Sequence, residues 1–227
     1  MPNALNYLRG KFLVFDGNEG SGKSTQAHLL RDALLHEGLD VLTVRDPGST
    51  RIGEQIRSIL LNPQHTEMNM RCEMLCYMAS RAQMMAETIG PALDAGRTVV
   101  CDRFVSSTLA YQLGGDGLTA ADINAVAEVA IRGRWPDLTI LLDMPVEASS
   151  GRVLPKFLVP MSDDSARKLA MKDRIEQRPM SYHAQVRRNS LAQADANPER
   201  YRVIKADRDP QTVHADVLAA VGSLGRG

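Results

Sequence analysis

The stretch Phe12-Leu13-Val14-Phe15-Asp16-Gly17-Asn18-Glu19-Gly20-Ser21-Gly22-Lys23-Ser24-Thr25 decides how this chain is read. Its first four residues form an apolar run that fits a strand covered on both faces. Gly17 to Thr25 then match G-x-x-x-x-G-K-[ST], and helical periodicity follows, so the motif lies in the strand-loop-helix context it requires. Glycines at 17 and 22 accept backbone angles that other residues resist, which lets successive N–H groups turn inward around an anion at the positive end of the next helix. Lys23 adds a point charge for terminal phosphates, and Ser24 offers a hydroxyl suited to Mg2+. Pattern and context together favour nucleotide binding by Gly17, Asn18, Glu19, Gly20, Ser21, Gly22, Lys23, Ser24 and Thr25 over a plain glycine-rich turn. They indicate ATP or GTP and leave the phosphate acceptor open.

Outward from this loop, short β-branched runs alternate with longer helical stretches. Strands are predicted at Phe12–Phe15, Val41–Val44, Thr98–Cys101, Leu138–Leu142 and Tyr201–Ile204, with helices near 23–36, 51–61, 68–95, 119–132, 174–194 and 210–223. This alternation predicts an α/β fold, a five-stranded parallel sheet in a three-layer α/β/α arrangement. Gly38 and Asn62-Pro63 read as helix stops, and Thr119 with Asp122 as a capping box. The segment 150–173 carries two prolines, an acidic pair and several cations that interrupt any single period, and it reads as a mobile excursion.

The chain has 227 residues, enough for one sizeable core, and a single domain over 1–227 is expected. Lys plus Arg and Asp plus Glu each total 27, so no bulk positive charge is available to attract nucleic acid or anionic lipid, and any anion must be met locally. Three scattered cysteines suit a reducing compartment and give no disulfide framework or zinc spacing. Cys72 and Cys76, four apart, are expected to face the core. No long apolar run or export signal stands out, so a cytoplasmic protein is expected, with no membrane partner.

Further motifs follow in order: Arg45-Asp46-Pro47-Gly48-Ser49-Thr50, Tyr77-Met78-Ala79-Ser80-Arg81, Asp102-Arg103-Phe104, Ser107-Thr108-Leu109-Ala110-Tyr111-Gln112, Pro136-Asp137-Leu138-Thr139 before Leu142-Asp143, and Asp173-Arg174-Ile175-Glu176-Gln177. With the loop at 17–25, these resemble the thymidylate kinase family of P-loop nucleoside monophosphate kinases over nearly the whole chain. Asp46 and Ser49 depart mildly from the family's usual R-E-P-G-G-T.

The resemblance implies the P-loop NTPase fold with a mobile lid at about 150–178, and Mg2+-dependent transfer of the γ-phosphoryl group of ATP to dTMP in a homodimer. It also implies roles. Arg103 and Arg57 would hold the acceptor phosphate, for which a guanidinium fork is suited, although either is also compatible with a surface ion pair. Tyr77, where the family more often has Phe, would stack on the base, and Arg81 would reach a base carbonyl; four apart on a helix, they share a face. Thr108 would contact the base, and Tyr111 would crowd the sugar, although Tyr111 is equally compatible with the core. Glu19 would lie near the acceptor sugar. Ser24 and Asp102 are the candidate metal residues.

Phosphoryl transfer needs cations around the moving group. Some members of the family carry an arginine within the loop, where this chain has Gly20. The other arrangement places arginines on the lid, and 152–178 offers Arg152, Lys156, Arg167, Lys168, Lys172, Arg174 and Arg178. Arg174 lies in the matched segment and joins Lys23, Arg103 and Glu19 as a catalytic candidate. The rival readings are a P-loop kinase for another nucleotide or nucleoside, and an ATP-binding switch without transfer activity.

Overall fold

The computed structural model describes residues 5–152 and 173–225. Five parallel strands, β1 (Phe12–Asp16), β2 (Val41–Arg45), β3 (Thr98–Asp102), β4 (Leu138–Asp143) and β5 (Tyr201–Lys205), lie in the order β2-β3-β1-β4-β5. Every predicted strand is present, extended by one residue at its carboxyl end.

β1 is at the centre, and its side chains alternate between two cores. Leu13 and Phe15 pack with Leu30 and Leu34 of α1 (Lys23–His36) and with Val213 and Val217 of the helix Pro210–Gly222. Phe12 and Val14 pack on the other face with Met74, Met78 and Met84 of α3 (Met70–Met84) and with Ile123 and Ala127 of the helix Ala120–Ile131. Burial of both faces is why these strands read as continuous apolar runs, and it produces the expected three layers. Methionines fill much of the second core, as unbranched thioethers do where few aromatic rings are available.

The punctuation acts as its chemistry dictates. Gly38, at φ +74°, turns the chain out of α1. Thr119 and Asp122 form a reciprocal capping box. Thr50 caps α2 (Arg51–Leu61) by accepting from the Gly53 amide at 2.9 Å, and a Cβ at position 53 would come within 2.6 Å of the Gly48 carbonyl, so glycine is required there.

Three expectations are corrected. The helix predicted over 68–95 is α3 followed by a π-turn at Met85–Ile89 and a short helix Gly90–Asp94, because Pro91 has no N–H for the regular ladder. The helix predicted from 174 begins at Met180: Pro179 disfavours helical geometry at Arg178, and residues 174–177 form a separate turn capped by Asp173, which accepts from the Ile175 and Glu176 amides at 2.8 Å each. Cys72 is exposed and Cys76 half-buried, because the buried stripe of α3 runs through Glu73, Met74, Met78, Arg81 and Met84. Two short helices, Val105–Tyr111 and Val146–Arg152, were not predicted; Ser, Thr and β-branched residues give them little local propensity. Most of the lid expected at 150–178 falls outside the described residues, including Lys156, Arg167, Lys168 and Lys172, as does the side chain of Arg152.

Candidate active site

The carboxyl ends of β1, β2 and β3 open into one cleft of about 520 Å³, the position where open parallel sheets bind ligands. The loop after β1 forms one side. Gly17 sits at φ +137°, and a Cβ there would fall 2.4 Å from the Leu142 carbonyl, so only glycine lets the loop leave the sheet at this point. Lys23 folds back over the loop, donating to the carbonyls of Asn18 at 2.7 Å and Gly17 at 3.2 Å. Burial, then the nearby Arg103 charge, lowers its pKa to about 8. Ser24 opens toward solvent and donates to Asp102 Oδ2 at 2.6 Å, joining the first turn of α1 to the end of β3.

Arg103 follows with a left-handed backbone, φ +70°. Its guanidinium donates to Asp16 at 3.3 Å and Ser107 at 3.1 Å, and lies 5.2 Å from the Tyr111 ring centroid while donating to the Tyr111 hydroxyl at 3.3 Å. Asp16, almost wholly buried, also accepts from the Gly17 amide at 2.8 Å and from Ser106 and Ser107 at 2.5 and 2.8 Å. One carboxylate therefore braces both the start of the phosphate loop and the arginine.

Deeper in the cleft, Arg81 is fully buried in a polar cage. It donates to Asp46 Oδ2 and the Phe104 carbonyl at 2.8 Å each, to Thr108 Oγ1 at 2.7 Å and to Met78 Sδ at 3.5 Å. Its guanidinium lies 5.6 Å from the Tyr77 ring and 5.8 Å from that of Phe104. Since Thr108 accepts from Arg81, its own hydroxyl hydrogen remains to be donated elsewhere. Burial raises the Asp46 pKa against the opposing pull of Arg81. Arg57 donates to the Pro47 carbonyl at 3.0 Å and faces the same cleft.

Of the predicted residues, Glu19, Gly20, Gly22, Lys23, Ser24, Thr25, Arg57, Tyr77, Arg81, Asp102, Arg103, Thr108 and Tyr111 line this one cleft. Gly17, Asn18 and Ser21 shape the loop beneath it; Asn18 Nδ2 and Ser21 Oγ are buried there without a protein partner. Arg174 is not brought in. It pairs with Glu73 at 2.6 Å and donates to the Leu60 carbonyl at 3.1 Å, while its neighbours Asp173 and Ile175 line the cleft instead. Glu19, Asp173 and Glu176 approach one another within 4.8 Å, and burial, then the Glu19 charge, raises the Glu176 pKa to about 7.

Asp16, Ser106 and Glu73 were missed as site-building residues, and Arg178, expected only as one of the lid cations, pairs with Glu73 at 2.7 Å. A charged Glu73 beside Met74 and Met78 on an apolar helix face was the one available signal, since acids are almost never buried unless paired. Ser24 and Asp102 supply hydroxyl and carboxylate oxygens already in contact, a hard-oxygen set that fits Mg2+.

A phosphate loop at the carboxyl edge of a parallel sheet, facing arginines across the same cleft, defines a P-loop phosphotransferase. The family model described as thymidylate kinase matches residues 15–217. The thymidylate kinase of Pelotomaculum thermopropionicum is 43% identical over 94% of this chain and 93% of its own length. That of Rhizorhabdus wittichii is 40% identical over 96% and 99%. Among solved structures, thymidylate kinase from Ehrlichia chaffeensis superposes with a TM-score of 0.71 at 28% identity, covering 93% of this chain and 97% of that one. The chain belongs to the thymidylate kinase family.

Proposed function

We propose that this chain transfers the γ-phosphoryl group of ATP to dTMP, giving dTDP and ADP. One observation carries the reading: Lys23 of the phosphate loop and Arg103, Arg57, Tyr77 and Tyr111 line a single cleft, so donor and acceptor phosphates can meet within it. A dTMP phosphate oxygen attacks the γ-phosphorus, the bond from that phosphorus to the β–γ bridging oxygen breaks, and ADP leaves with the electron pair. The chain supplies position and charge and forms no covalent intermediate.

In this reading Gly17 to Thr25 turn their amides onto the ATP phosphates, and Lys23 follows the β and γ groups. Arg103 and Arg57 hold the acceptor phosphate. Arg103 is held in place by Asp16, Ser107 and Tyr111, so little ordering remains to be done on binding. Tyr77 stacks on the thymine, Arg81 and Thr108 present polar groups to its edge, and Tyr111 narrows the space beside the sugar. Glu19 faces the acceptor sugar. Arg174, anchored on Glu73, holds the cleft wall at Asp173 and is not required to touch the transferred group. Ser24 and Asp102 would hold Mg2+, which when bound offsets charge on the phosphates. The active form is a homodimer in the cytoplasm; Leu75 on α3 and Ile52 and Ile59 on α2 give the pair of helices an exposed apolar strip suited to a second copy. No helix among the described residues is long and apolar enough to cross a membrane.

The test compares turnover of dTMP, dUMP, UMP, CMP and thymidine at equal concentration. A clear preference for dTMP is expected, with Lys23→Ala and Arg103→Ala inactive yet folded by circular dichroism. Preference for another acceptor overturns the substrate, and ATP binding without any transfer overturns the reaction.

A further inference from the structure

Glu73 is fully buried in α3, outside the cleft lining, and it joins two separate parts of the chain to that helix. Its Oε2 receives Arg174 at 2.6 Å and Arg178 at 2.7 Å, and its Oε1 receives Gln112 at 2.6 Å. Arg174 in turn donates from Nε to the Leu60 carbonyl at 3.1 Å and from its backbone amide to the Leu61 carbonyl at 3.3 Å, tying the segment to the end of α2. Arg178 donates to the Tyr182 hydroxyl, which donates to the Tyr111 carbonyl at 2.7 Å. Tyr111 is the ring against which Arg103 lies.

These contacts converge on one outcome. We propose that Glu73 is a positioning residue for the acceptor: by holding Arg174 and Arg178 on one buried carboxylate, it sets where Asp173, Ile175 and Tyr111 stand in the cleft. The proposal rests on the reading of dTMP as acceptor. The arrangement is not interchangeable with an apolar plug. Two guanidinium groups share one carboxylate, so the cluster retains a buried positive charge that ordinary packing would avoid, while Asp173 and Ile175 sit directly beside Arg174 in sequence and line the cleft. Moving Arg174 therefore moves the wall.

The test is steady-state kinetics on the full chain with ATP and dTMP varied separately. Arg174→Met leaves Glu73 and Arg178 as a neutral pair and should keep the fold. Its KM for dTMP is expected to rise about tenfold, since displacement of a binding wall by an ångström can cost up to about 10²-fold, while KM for ATP stays within about twofold. Arg174→Lys, which can still reach Glu73, should recover part of the loss, and Glu73→Gln should match or exceed Arg174→Met. Unchanged KM for dTMP in Arg174→Met, or an equal rise for both substrates, overturns the proposal. Hydrogen exchange on the wild type decides independently of any variant: saturating dTMP should slow the amides of 173–178, and no slowing overturns it. Absence of dTMP turnover in the wild type defeats the reading beneath it instead.

Discussion

The Ser24 hydroxyl donates to Asp102 Oδ2 at 2.6 Å, so the residue that follows the phosphate-loop lysine and the last residue of β3 already share a hydrogen bond. If both hold Mg2+, Asp102→Asn weakens the metal by removing a charge while keeping the shape. The expected result is a rise of about 10- to 100-fold in the Mg2+ concentration for half-maximal turnover, read from a metal titration at saturating nucleotides. An unchanged metal requirement counts against Asp102 as a metal residue.

Arg81 and Asp46 form a pair with side chains 0% and 1% exposed, so removing one partner strands the other in a dry site. Arg81→Met should destabilise the fold by about 3–5 kcal/mol, since breaking a buried pair leaves an uncompensated charge. In a chain of this size that corresponds to a melting temperature lower by about 10 °C. Asp46→Asn keeps an acceptor for Arg81 and should cost less. Thermal unfolding of both variants checks the order, and equal melting temperatures for Arg81→Met and wild type refute it.

Lys23 titrates near pH 8 in the free protein because burial and Arg103 oppose its charge. Phosphates need the ammonium form, so ATP affinity is expected to fall as pH rises through 8, and binding near pH 8.5 should take up a proton. Calorimetry in two buffers of different ionisation enthalpy measures that uptake directly. Identical apparent heats in both would show that Lys23 is already fully charged.

Glu176 holds its proton up to about pH 7, where an unfolded glutamate loses it near 4.5. Between these values the native state binds more protons than the unfolded state, so stability decreases as pH rises from about 4.5 to 7 and then levels. The carboxyl is only partly buried, so solvent screening limits the effect to about 1 kcal/mol. Glu176→Gln should remove this part of the slope and leave the protein more stable than wild type at pH 8. Denaturant midpoints measured across pH 4.5 to 8 test it.

Much of the architecture was legible in local chemistry. The apolar runs at 12–15, 41–44, 98–101, 138–142 and 201–204 became strands because both faces are buried, and the stops at Gly38 and Asn62 acted through backbone geometry that the residues carry with them. The short helix bearing Thr108 and Tyr111 was not legible, since seven residues with weak propensity become helical only when packed against the helices Met180–Ala196, Ala120–Ile131 and α3.

The phosphate loop, the parallel sheet and the residue types that face each other across the cleft can be read from residue order, because glycine conformers, the lysine charge and strand hydrophobicity are local properties. That Arg174 turns away to a buried Glu73 while Asp173 and Ile175 line the cleft, and that Asp16 braces Arg103, follows from long-range packing alone. Those outcomes depend on which charges are buried together across separations of about a hundred residues, 73 to 174 and 16 to 103, and desolvation selects such partners only after the chain has folded.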